Sequence, residues 1–236
     1  DLLAKGISRG YLAPAFGMWE HTDFGFPSVN VYNDHSAQII CTNGWTMGLA
    51  PAYNRFMHGS WGKGYGANGY MSHHYWYSYY PSIKACNDIL SLPADDSTTL
   101  TYKAIARTYR AMFYLDLARH FECLYIPADL SDNAAIYEEQ WNMVQGLTVP
   151  IVTETSTVQE LENNPRATRE AMFEFILGDL TEAETLLAEY RTPSIGLPSL
   201  AVVYGLKARA YNWLGGFNES YENVPTGNEA YKLAAQ

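Results

Sequence analysis

A glycine-rich stretch between residues 43 and 70 carries the side chains best suited to bind a ligand. Its aromatic and amide residues are Trp45, Tyr53, Asn54, Trp61, Tyr65, Asn68 and Tyr70. The apolar C–H face of a pyranose ring can stack on an aromatic ring, and amides can hydrogen-bond the hydroxyl groups around it. We therefore expect these seven residues to form a glycan-binding surface. The alternative is that their rings pack the loop onto helices beneath it.

The sequence gives little sign of catalysis or of metal binding. No GxSxG, HExxH or phosphate-binding glycine loop is present, and His73 and His74 are adjacent, so they cannot both bind one metal from one helical face. The aromatic segment contains only Glu20, Asp23 and Asp34 as internal acids, whereas a glycosidase needs two facing carboxylates. We expect no catalytic residue, no metal and no cofactor, and an α-helical glycosidase is the least favoured function.

Composition narrows the class of partner. The chain has 236 residues, with 15 Lys plus Arg and 25 Asp plus Glu, so its formal net charge is 15 − 25 = −10. This charge argues against nucleic acid and against a basic membrane-surface patch. Of 34 aromatic residues, 17 lie in residues 1 to 80, together with 11 of the 18 glycines. The remainder has ordinary helical windows, so the aromatic content divides between a loop-rich part and a helical part.

The helical part must position the aromatic loop. Apolar residues recur there at spacings of three and four, which indicates amphipathic helices. We predict helices over 72–92 and 97–121, one that begins at Asn164-Pro165, one that opens at Pro198 and one from near Asn228. Short turns and recurrent alanines favour antiparallel pairs. The predicted fold class is all-α, with tetratricopeptide-like helical hairpins and long loops rich in glycine and aromatic residues.

The same spacing predicts which faces are buried. In the first helix the predicted core face carries Trp76, Tyr79 or Tyr80, Ile83, Asn87 and Leu90. In the helix after Pro198 the residues expected to point inward are Val202, Val203, Leu206, Ala210 and Trp213. Cys86 and Cys123 lie in apolar helical windows, so we expect core positions rather than a redox or zinc site.

A series of short elements from about Tyr75 onward supports a family-level hypothesis. They are Tyr80-Pro-Ser-Ile83 with Cys86-Asn87, Ala104 to His120 with Arg107 and Arg110-Ala111, Val149-Pro-Ile-Val152, Pro165-Arg-Ala-Thr168, Asp179-Leu180 and Lys207-Ala-Arg-Ala-Tyr211. Their order and spacing over roughly 160 residues resemble the SusD/RagB family of nutrient-binding outer-membrane lipoproteins. One departure is Phe121-Glu122, where the family often has Phe-Gly.

The resemblance implies a non-catalytic protein, anchored by lipid at the outer membrane on the cell surface. It would capture an oligosaccharide for a TonB-dependent, SusC-like transporter. The alternative is a helical scaffold that binds a transporter or peptide through protein contacts.

The resemblance also suggests how the chain is organised. We expect residues 1–236 to form one amino-terminal SusD-like domain, with a loop-rich segment at 1–71 and helical pairs at 72–236. The signal peptide, the lipid-bearing cysteine and the carboxyl-terminal half of the family are expected to be missing from this chain.

Overall fold

The structure, a computed structural model, describes residues 70–94, 96–124, 134–191 and 196–236, without the side chains of 70–74 and 134–137. Seven helices lie in these ranges: α1 (Tyr70–Leu90), α2 (Ser97–Phe121), α3 (Ala134–Val144), α4 (Val158–Glu162), α5 (Arg169–Leu187), α6 (Leu200–Leu214) and α7 (Gly227–Ala234). The only β-pairing within them is one isolated bridge between Leu147 and Thr168. The predicted all-α fold class is thus confirmed for the described residues.

Contacts divide the chain into two compact units, one mainly Ala4–Ser82 and the other mainly Ile83–Gln236. In the first unit the described part belongs to α1, where Tyr75 and Tyr79 are buried and stack with ring centroids 5.9 Å apart. Trp76 is 39% exposed, so its predicted core position is wrong. The buried stripe runs from Tyr75 through Tyr79, and Trp76 lies about 100° away around the helix.

In the second unit α2 is the central helix. It packs against α5 and also contacts α6, while α6 packs against both α5 and α7. Helix α2 carries buried residues on several sides: Ala104, Ile105, Ala111, Phe113, Leu115 and Ala118. Asp96 caps its first turn by accepting a 2.8 Å hydrogen bond from the Thr99 amide.

Helix α5 begins four residues later than the Asn164-Pro165 signal predicted. Its N-cap is Thr168, whose hydroxyl accepts from the Ala171 amide. The Asn164 side chain instead donates to the Ile151 carbonyl at 2.7 Å. The preceding segment pairs with an extended one, since the Thr148 amide donates to the Ala167 carbonyl at 2.8 Å. This pairing holds residues 164–167 extended, and the helix can start only after it.

Helix α6 has the predicted buried face with one error. Val203, Leu206 and Ala210 are buried, but Val202 is 42% exposed. The residue adjacent to a buried one points about 100° away around the helix, so Val202 and Val203 cannot both face the core. The helix ends at Leu214 with Gly215 as its C-cap, as the Gly215-Gly216 pair predicted.

The cysteines behave differently from one another. Cys86 is fully buried, and burial raises the pKa of its thiol well above the ordinary value, so it remains a neutral core residue. Cys123 is only half-buried. The prediction that Cys123 is a core residue is therefore confirmed only in part.

A buried ionic network around Arg110 joins the elements of the second unit. Its Nε donates to Asp179 Oδ2 at 2.7 Å and its Nη2 to Oδ1 at 2.8 Å, which is a bidentate pair between α2 and α5. Its Nη1 donates to Asn87 Oδ1 of α1 at 2.6 Å and to Glu154 Oε2 at 2.5 Å. Arg107 adds a 2.7 Å bond to Asp179.

The network satisfies the charge that it buries. Burial alone would lower the pKa of the Arg110 guanidinium, but Asp179 and Glu154 outweigh this effect and raise it above the ordinary value. Asn87 completes the arrangement, because its Nδ2 donates to the Val152 carbonyl at 3.0 Å. One side-chain cluster thus connects two helices, the end of α1 and the extended segment after residue 147.

Replacing Asp179 with Asn should destabilise the protein by about 3–5 kcal/mol, because Arg110 is left buried without its bidentate carboxylate. Asp88→Asn is the matched control. It removes an exposed pair with Lys84 in α1 and should cost roughly 0.5 kcal/mol or less. Chemical denaturation of both variants measures the difference. Equal losses would show that the buried network does not stabilise the fold.

Gly215, just past the end of α6, packs closely against the Tyr231 ring of α7. A Cβ at this position would clash with ring atoms of Tyr231, whereas a Cβ at Gly205 within α6 meets nothing within 4 Å. Gly215→Ala should therefore lower stability by about 1–3 kcal/mol through overpacking. Gly205→Ala should raise it by up to about 1 kcal/mol, since alanine favours the helix. Thermal unfolding that ranks the two variants the other way would contradict this close approach.

Candidate functional site

A cavity of about 690 Å³ lies within the second unit, where the ends of several helices meet. Its lining combines cationic, amide and aromatic side chains. The lining residues are Arg119, Cys123, Leu124, Trp141, Gln145, Arg169, Arg209, Asn212, Trp213, Gly216, Phe217 and Glu219. The volume falls within the ~300–1,000 Å³ that is usual for small-molecule sites.

Helical spacing explains how the lining residues come together. Arg209, Asn212 and Trp213 follow positions i, i+3 and i+4, so the end of α6 presents one stripe to the cavity, and Gly216 lies in the turn just past it. Trp141 and Gln145 are likewise four residues apart, at the end of α3. The α6 stripe reaches the same cavity as Arg119 and Arg169 because α6 packs against α2 and α5.

A buried ion pair forms one wall of the cavity. Arg169, at the start of α5, donates from Nε to Glu122 Oε1 at 2.6 Å, and Glu122 directly follows the end of α2. The Arg169 Nη1 donates to the Tyr221 hydroxyl at 2.8 Å and lies 3.1 Å from Glu219. Its guanidinium stacks on Phe217, 3.5 Å from the ring centroid. Arg169 is therefore held in one position by four groups.

The Glu122 side chain is fully buried behind the wall of the cavity, where it pairs with Arg169. Burial raises its pKa above the ordinary value, and the neighbouring Arg169 opposes this shift only in part. Its Oε2 and the Trp213 Nε1 are both buried without a hydrogen bond of normal geometry, although the indole is near enough to lower the carboxyl pKa slightly. Arg169 thus favours the charged form of this buried carboxyl.

Two further arginines reach the cavity from α2 and α6. Arg119 is exposed and stacks on Trp213, with its guanidinium carbon 5.3 Å from the ring centroid. Arg209 donates from Nη2 to Asp116 Oδ1 at 2.8 Å and is partly exposed. Within the described ranges the Arg119, Gln145 and Asn212 side chains donate no hydrogen bond. The cavity therefore presents donors that a ligand could engage.

A second cavity, of about 430 Å³, adjoins α4 and has a polar lining. Its polar groups bond mostly to each other. The Ser156 hydroxyl accepts from the Thr153 amide at 3.0 Å, and Glu160 closes a capping box with Thr157. With its groups already paired, this cavity is the weaker candidate for ligand binding.

The glycan-binding residues predicted from the sequence are not tested by this geometry. Trp45, Tyr53, Asn54, Trp61, Tyr65 and Asn68 lie outside the described residues, and Tyr70 is described only as the first residue of α1. They stay predictions. The larger cavity was not predicted. Of its lining residues, the sequence analysis named Trp213, which was expected to face inward. Its other residues come from segments that only the tertiary fold brings together.

Neither metal binding nor membrane insertion is indicated by the described ranges. They contain no group of three or more His, Cys, Asp or Glu side chains that could hold a metal ion. None of the helices in these ranges is long and apolar enough to span a bilayer.

Removing the cationic partner of Glu122 should make stability depend on pH. In Arg169→Gln the buried carboxyl is unpaired, so its pKa rises further, and folding is penalised as the pH rises above about 4.5. We expect a loss of about 3 kcal/mol or more at pH 7 and a smaller loss at about pH 4.

Denaturation of Arg169→Gln at the two pH values measures this difference. The double variant Glu122→Gln with Arg169→Gln is the control, because it has no carboxyl to titrate at residue 122. If the loss of stability still differs between the two pH values in the double variant, a group other than Glu122 causes the pH dependence.

Comparison with known proteins tests the family hypothesis through the fold. No protein-family model and no curated protein matches the chain. Among solved structures, the chain is similar to a SusD-like carbohydrate-binding protein from Bacteroides vulgatus, with 18% identity and a TM-score of 0.61 over 99% of this chain and 42% of the other. It is also similar to a SusD superfamily protein from Bacteroides thetaiotaomicron, with 20% identity and a TM-score of 0.57 over 99% and 44%.

These identities establish similarity of the fold alone, and the chain spans less than half of each of these two proteins. The resemblance inferred from the sequence is thereby confirmed at the level of the fold. The chain has the fold of part of the SusD-like proteins.

Proposed function

We propose that the chain is a glycan-binding module of a SusD-like cell-surface protein. One observation carries this proposal: on a SusD-like fold, the cavity places Trp141 and Trp213 beside side-chain donors that have no partner in the described residues. A similar solved structure is described as a carbohydrate-binding protein, which supports the same ligand class.

The chemistry of the cavity suits a saccharide. A pyranose has apolar C–H faces for the tryptophan rings and hydroxyl groups that accept hydrogen bonds from arginine and amide donors. Gln145 and Asn212 can also accept through their amide oxygens. A site that combines apolar walls with a few placed polar groups orients such a ligand.

The acids among the described lining residues support binding rather than hydrolysis. Among the described lining residues Glu219 is the only carboxylate, and it lies 3.1 Å from Arg169. Glycoside hydrolysis normally needs two carboxyl groups across the scissile bond. Glu122 lies behind the wall and is fully buried, so it cannot supply the second one.

We further propose that the captured glycan is passed to a TonB-dependent, SusC-like transporter at the outer membrane, to which lipid would anchor the whole protein. The SusD-like fold and the resemblance of the sequence to that family support this role. In the same proposal Trp45, Trp61 and the other aromatic-loop residues contribute a second contact to the glycan.

A glycan array on the chain should identify a bound saccharide, and Trp141→Ala should weaken that binding about tenfold through loss of stacking. Tyr204→Ala is the control, because Tyr204 is an exposed aromatic residue of α6 that does not line the cavity. Thermal unfolding of both variants checks that the fold is intact.

Trp61→Ala in the same titration tests the aromatic loop. Binding that falls in this variant as well supports two contacts to the glycan. If Trp61→Ala abolishes binding and Trp141→Ala changes nothing, the site is the loop and the cavity proposal is wrong. If no glycan on the array binds the wild-type chain, glycan capture itself is wrong.

A further inference from the structure

The polar groups of the larger cavity are unevenly divided between donors and acceptors. Three of the nine arginines of the chain line it, and Glu219 is the only acid among the described lining residues. This concentration contrasts with the formal net charge of −10 for the whole chain. On a chain of negative net charge the cavity therefore offers three guanidinium groups within one lining.

The three arginines are not equally available. Arg169 is occupied by Glu122, Glu219 and Tyr221. Arg209 uses one nitrogen for Asp116 and keeps its remaining donors. Arg119 forms no ion pair with any described residue. Among the described residues it is therefore the cation of the cavity that lacks a counter-charge.

Stacking on Trp213 orients the Arg119 guanidinium in a way that suits anion binding. Its guanidinium lies over the Trp213 ring, which restricts the plane of the group without using its N–H donors. A guanidinium held in this way can donate two parallel hydrogen bonds to a carboxylate or a sulfate. The Asn212 amide lies on the same stripe of α6 as Trp213 and adds a neutral donor.

From this arrangement we infer that the cavity binds an acidic saccharide, with Arg119 as the residue that recognises its carboxylate or sulfate group. The inference rests on the proposed glycan-binding function and specifies the class of glycan. A neutral sugar would leave the surplus donors of the cavity to water. An acidic sugar supplies acceptors for them while its ring packs against Trp141 or Trp213.

Isothermal titration with three probes tests the inference: digalacturonate, galactose 6-sulfate and the neutral disaccharide galactobiose. We expect at least one of the two acidic probes to bind at least about tenfold more tightly than galactobiose. Arg119→Gln should remove most of this preference. Arg191→Gln is the matched control, because it changes the charge by the same amount at an exposed residue that does not line the cavity.

The acidic probe whose binding depends on Arg119 identifies the anionic group. Failure of both acidic probes to bind, or equal binding by wild type and Arg119→Gln, would overturn the inference. The proposed function has a separate test in the neutral glycans of the array. If neutral glycans bind and Arg119→Gln has no effect on any probe, glycan capture stands and acidic specificity is wrong.

Discussion

The buried pair of Arg110 and Asp179 is the interaction on which the second unit depends. A guanidinium and a carboxylate in a nearly water-free interior are costly to desolvate, so their bidentate geometry must be kept. The remaining guanidinium donor reaches Asn87 and Glu154, and Asn87 in turn bonds the Val152 carbonyl. Within the second unit this cluster therefore fixes where the end of α1, α2, α5 and an extended segment lie relative to one another. Apolar packing among the helices supplies stability, but it does not specify register so strictly.

The larger cavity follows from this fixed arrangement. Once α2 and α5 are joined at Arg110 and Asp179, the end of α2 and the start of α5 come together, and Glu122 pairs there with Arg169. The two buried pairs lie at different levels of the same helix interface. Because Arg169 is restrained by its acids and by Phe217, it forms a rigid wall. Arg119, in the last turn of α2, lines the same cavity and remains exposed. The packed helices therefore provide both a fixed wall and an available cation.

Local patterns predicted five of the seven described helices, but not α3 or α4, and they predicted the start of α5 and the cavity less well. The bounds of α2 were predicted because its apolar residues repeat regularly, and the structure adds the Asp96 cap at its start. The start of α5 was misplaced because Asn164 is also a good cap, and the pairing of Thr148 with Ala167 that excludes it is long-range. The cavity could not be derived from spacing alone, since it joins residues between Arg119 and Glu219 that are distant in sequence. The density of aromatic residues predicted a glycan-binding site at residues 45–70, of which only Tyr70 is among the described residues.

A crystal structure of the chain with bound digalacturonate tests the central claim most directly, because it locates the sugar independently of any substitution. The account predicts a sugar ring packed against Trp141 or Trp213 in the larger cavity, with its carboxylate within hydrogen-bonding distance of Arg119. Sugar bound only outside this cavity, with Arg119 still on Trp213 and no ligand beside it, would contradict the account.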